Sequence, residues 1–150
     1  MTGTLRLVVL GLALAAATGV AADTPQQTVD KRVAAMKQMG GKVTEAFQLS
    51  GSDAAGARAK LAEALALAES IPSRFPAGTA DGDAGVTTRA LAKIWSDAAG
   101  FKKASDGLVA AIKATDAKLA ANDAAGTEAA FADVRKACGT CHNDYRGPAK

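Results

Sequence analysis

Apolar residues recur every three or four positions through four long stretches of this chain, and clusters of Gly, Pro, Ser, Asn and Asp cut those stretches apart. That spacing marks one face of a helix. The first predicted helix runs from about Pro25 to Leu49, with Thr24 as N-cap and Pro25 at the first helical position. Its stripe is Val29, Val33, Met36, Val43 and Phe47. Gly40 and Gly41 interrupt it, each at a cost of about 1 kcal/mol against alanine, and a close approach by another helix or a flat ligand would account for them. The second helix covers about Ala54 to Ser70, N-capped by Asp53, with Ala57, Leu61, Leu65 and Ala68 inward, and Pro72 stops it. The segment from Ile71 to Gly85 is the longest loop. Loops of that length often lie over a site; an inert crossover is the equal alternative. The third helix is expected from about Val86 to Ala121, with a bend near Gly100, and the fourth from Ala124 to Tyr145, N-capped by Asp123. Abundant alanine and few β-branched or aromatic residues favour helix throughout. The expected fold is all-α: one antiparallel up-down-up-down four-helix bundle over residues 23–150.

The fourth helix carries the chemistry. Phe131, Val134, Cys138, Cys141 and Tyr145 continue one stripe at spacings of three and four. Cys138-Gly139-Thr140-Cys141-His142 is the C-x-x-C-H attachment signature of a c-type haem. On a helix, positions i, i+3 and i+4 share a face, so both thiols can reach the edge of one flat macrocycle while the imidazole lies under its centre. Three other readings compete. A thioredoxin-like C-x-x-C needs a helix that opens at the first cysteine, whereas here an apolar helical pattern runs into the motif from upstream. A disulfide across two residues removes little chain entropy and leaves His142 without a role. Zinc needs four Cys/His ligands; the chain has two Cys and one His. Haem is the expected cofactor, attached within the bundle interior.

Residues 1–22 read as a secretory signal: Arg6 in the positive region, an apolar run from Leu7 to Ala17, and Val20-Ala21-Ala22 before the cleavage point. The run is too short for a membrane anchor, which needs about 20 apolar residues. Export to the periplasm also suits the motif, since c-type haem is attached outside the bacterial cytoplasm. Without Arg6 the 18 Lys and Arg become 17, against 15 Asp and Glu, a formal charge of +2. So slight and scattered an excess gives no footprint for nucleic acid.

The whole stretch after the signal resembles the class II c-type cytochromes, the family of cytochrome c′ and its low-spin six-coordinate relatives. The resemblance is strongest over Cys138-Gly139-Thr140-Cys141-His142-Asn143-Asp144-Tyr145-Arg146. It extends to Ile94-Trp95-Ser96-Asp97-Ala98-Ala99 and to Arg32 followed four residues later by a large apolar side chain. It implies one covalent haem c with its iron, thioether bonds from Cys138 and Cys141, and His142 as proximal iron ligand. Arg146 matches the basic residue one turn beyond that ligand, and Arg32 the arginine near a haem propionate.

Met36 matches the position facing the open side of the iron, with Met39 as its competitor in the haem pocket. Coordination by Met36 implies a His/Met electron carrier with redox partner proteins; an uncoordinated Met36 implies five-coordinate iron that binds NO or CO. The first of these is the expected function and the second its alternative. Peroxide chemistry would want a distal histidine or arginine, and the sole histidine is committed, so no enzyme is expected. Small residues on the first two helices permit a homodimer.

Overall fold

The computed structural model describes residues 22–149; the expected signal over residues 1–22 lies outside them except for Ala22. Among the described residues four long helices pack together: α1 (Pro25–Leu49), α2 (Ala54–Glu69), α4 (Ala98–Ala120) and α5 (Ala124–Tyr145), with a single-turn α3 (Lys93–Ser96) ahead of α4. No strand occurs among the described residues, only an isolated antiparallel bridge between Ala90 and Arg146.

The expected N-caps are in place. The Thr24 side chain accepts from the Gln27 backbone N–H while the Gln27 side chain accepts from the Thr24 N–H, a reciprocal capping box. Asp53 caps α2 by accepting from Gly56 N–H, and Asp123 caps α5 by accepting from Gly126 N–H.

The third helix differs from expectation. Residues 86–92 are not helical; α4 proper starts at Ala98, where Asp97 leaves helical backbone angles and accepts from Gly100 N–H. The crossover is therefore longer than its Gly and Pro content suggests and spans residues 71–92, broken only by a 3₁₀ turn at Pro72–Arg74. Leu91 keeps helical spacing with Trp95 and Ala98 but belongs to an extended segment: its N–H donates to the Tyr145 carbonyl, and Gly147 N–H donates to the Arg89 carbonyl.

α1 also turns a different face to the core. Its buried line is Val29, Arg32, Ala35, Met39 and Ala46, directed toward α2. Of the expected stripe, Val33 stays 43% and Phe47 46% exposed, and Met36 and Val43 are half-buried. The reason lies in which helices close on each other. Backbones pack α1 against α2, α2 against α4 and α4 against α5. Alanines 46, 57, 64 and 68, all fully buried, permit that approach. No comparable backbone packing joins α1 to α5, and the stripe faces that seam. A Cβ on Gly40 or Gly41 would meet nothing within 4 Å, so no neighbouring helix requires these glycines.

Candidate haem site

The α1–α5 seam is closed at its two ends and looser between them. At one end Phe47 of α1 meets Phe131 of α5 edge to face, ring centroids 5.3 Å apart. At the other end the Arg32 guanidinium lies 4.4 Å over the Phe75 ring, Phe75 meets Phe101 edge to face with centroids 5.0 Å apart, and Phe101 meets Tyr145 edge to face at 5.3 Å. α1 and α5 run antiparallel. Eleven residues back from Phe47 is Met36, and eleven forward from Phe131 is His142; each step is a rise of about 16 Å. Met36 thus stands at the level of His142 across the seam. The same count pairs the levels of Arg32 and Arg146.

Helical spacing aims the two lines at each other. Met36, Gly40 and Val43 share the side of α1 that carries Phe47, and Cys138 and His142 share the side of α5 that carries Phe131. Both cysteines are free and half-buried against the core, as are Met36, Val43 and Ala137. Burial pushes both thiols above their ordinary pKa, and for Cys141 the neighbouring Cys138 and Asp144 add to the rise. Neutral, half-buried, unpaired thiols fit a pair consumed in thioether bonds; a redox dithiol needs a depressed pKa. Partial desolvation, then the charges of Arg146 and Arg89, pushes the largely exposed His142 imidazole below its usual value, toward the neutral form that ligates a metal. Among the described residues no cluster of three His, Cys, Asp or Glu could hold a bare metal ion. The donor set, two thiols and one imidazole on a face opposite a half-buried apolar line, fits haem c.

The remaining expected residues divide. Arg146 Nη1 lies 3.4 Å from His142 Nδ1. Met39 is buried in the core with α2 rather than on the Met36 line. Arg32 is 3% exposed. It donates to Thr79 Oγ1, the Thr79 carbonyl and Thr88 Oγ1, each at 3.0 Å. Its first task is thus to pin the long crossover to α1. Sequence reasoning missed that task, and it missed Phe75 as the ring joining Arg32 to the aromatic cluster; the only signal was an aromatic between two prolines in a loop. It also missed the Tyr145 hydroxyl, which donates to Asp97 Oδ2 at 2.8 Å.

Comparison with known proteins gives one family. The description "Cytochrome C'" matches residues 27–146. A cytochrome c′ of Rubrivivax gelatinosus is 37% identical over 89 residues, 57% of this chain and 67% of its own. A cytochrome c-556 of Agrobacterium fabrum is 33% identical over 122 residues, 79% of this chain and 80% of its own. Among solved structures, a nitric oxide complex of a variant cytochrome c prime from Alcaligenes xylosoxidans superposes with a TM-score of 0.72 at 28% identity, covering 83% of this chain and 97% of that one.

Proposed function

Because this chain belongs to the cytochrome c′ family, we propose that it is an exported, periplasmic protein that binds NO or CO on an open face of its haem iron. Its cofactor is the family's covalently bound haem c. When bound, that group supplies an iron able to take a diatomic gas as ligand. Cys138 and Cys141 fix its position through two thioether bonds, and His142 holds the iron from the α5 side. Arg146 sets a positive charge 3.4 Å from His142 Nδ1 and makes the imidazole a weaker electron donor. The α1 face contributes half-buried Met36 and Val43, apolar side chains that offer no hydrogen-bond donor.

The observation that carries this reading is the nitric oxide complex of the Alcaligenes protein, whose fold this chain shares. A second reading, a His142/Met36 electron carrier, is supported by the level of Met36 opposite His142. The two separate in CO-binding kinetics of the ferrous protein. An open face gives a rate that rises linearly with CO and changes little in Met36→Ala. A rate that saturates in the wild type and turns linear in Met36→Ala means that the thioether must leave first; that result replaces gas binding by electron transfer.

A further inference from the structure

Glycine disfavours a helix more than any residue except proline, so a glycine inside a helix calls for a cause in its surroundings. For three of them the cause is the cap. A Cβ on Gly56, Gly100 or Gly126 would collide with the capping carboxylate of Asp53, Asp97 or Asp123. Gly40 and Gly41 lie in the interior of α1, far from either cap. A Cβ on either would meet no protein atom within 4 Å. Packing within the chain therefore requires a glycine at neither position.

The two glycines differ in direction. A helix turns about 100° per residue. Gly40 lies about 20° round the axis from Phe47 and about 40° from Met36, on the side of α1 that faces α5. Gly41 lies about 120° from Phe47 and faces away. Level matters too. Gly40 is seven residues before Phe47 and Cys138 seven after Phe131, each a rise of about 10 Å. The edge-to-face contact of Phe47 with Phe131 sets the register of the two antiparallel helices. Gly40 thus stands across the seam from Cys138, one turn from the level shared by Met36 and His142. The backbone oxygen of this turn is engaged: Thr44 Oγ1 donates to the Gly40 carbonyl at 3.0 Å. What α1 offers α5 at this level is bare, satisfied backbone between the half-buried side chains of Met36 and Val43. A flat apolar ring approaches a helix most closely where no Cβ intervenes.

We propose that Gly40 is a positioning residue for the haem: the porphyrin packs on the bare backbone of α1 at Gly40, and this contact sets the spacing between α1 and the macrocycle. The inference rests on haem c as the cofactor and not on the number of ligands at the iron. The test compares Gly40→Ala with Gly41→Ala and Gly107→Ala in the haem-loaded protein. The readouts are thermal unfolding and circular dichroism in the Soret band, which reports the asymmetric surroundings of the porphyrin. A Cβ at Gly41 or Gly107 meets nothing within 4 Å, so both variants should gain about 2–5 °C in Tm and keep the wild-type Soret dichroism. Gly40→Ala should unfold below both and alter the dichroism. Wild-type dichroism in Gly40→Ala overturns the proposal whatever the Tm, because the added methyl then touches nothing that surrounds the porphyrin. A protein without a Soret band overturns it together with the haem assignment. Neither readout depends on whether Met36 coordinates, so gas binding can fail while the Gly40 result holds.

Discussion

Tyr145 ends α5 three residues beyond His142, and its hydroxyl donates to Asp97 at the start of α4. The bond acts on both partners. Asp97 is held below the ordinary carboxylate range, first by the Tyr145 hydroxyl and then by Gly100 N–H. Tyr145 is pushed from about 10 up to about 12, first by burial and then by Asp97. The signs differ. Asp97, depressed, stabilises the fold above its unfolded pKa, and that contribution fades as pH falls through its lowered value. Tyr145, raised, stabilises the fold below about 10, and its contribution is lost as pH climbs from about 10 to about 12. Tyr145→Phe should flatten the stability curve at both limits while its ring still packs on Phe101. Denaturant unfolding of wild type and variant across pH checks this, and parallel curves would refute it. None of this could be read from residue types alone, because Tyr145 also continues an apolar stripe that accounts for it without a hydroxyl partner.

At the scale of elements, the helix caps were readable because each is local: Thr24, Asp53 and Asp123 bond groups three residues ahead. The start of α4 was not. Residues 86–92 keep helical spacing, yet Leu91 N–H donates to the Tyr145 carbonyl and the Arg89 carbonyl accepts from Gly147 N–H, contacts far apart in sequence. Asp97 is the true cap, and it leaves a mark at Gly100. A Cβ there would collide with both the Asp97 carboxylate and the Tyr145 hydroxyl, whereas at Gly107, further along α4, it would meet nothing within 4 Å. Alanine is the better helix former at both positions by about 1 kcal/mol. Gly107→Ala should therefore stabilise the protein by about 0.5–1 kcal/mol, and Gly100→Ala should destabilise it. Thermal unfolding decides, and a gain in both variants would remove the cap from the account.

Across the whole molecule, the 71–92 crossover ties the two sides of the α1–α5 seam together. It holds α1 through Arg32, bonded to Thr79 and Thr88, and it holds the end of α5 through the pairing of residues 89–91 with 145–147. Phe75 adds the aromatic bridge from Arg32 to Phe101. Arg32→Met, which keeps the bulk and removes the donors, should raise hydrogen exchange at the Leu91 and Gly147 amides while the α2 amides stay protected. Unchanged exchange at Leu91 and Gly147 would mean that the crossover is held by its other contacts alone. The C-x-x-C-H motif and the four-helix architecture were legible because one is a contiguous signature and the other a period. The crossover's role depends on a buried arginine whose partners lie 47 and 56 residues away, and no local pattern announces them.

The central claim is that the iron has a vacant face beneath Met36, and the electron paramagnetic resonance spectrum of the ferric protein tests it most directly. The account predicts a high-spin signal in the wild type, unaltered by Met36→Ala. A low-spin signal in the wild type that turns high-spin in Met36→Ala would contradict it and make Met36 the sixth ligand of an electron carrier.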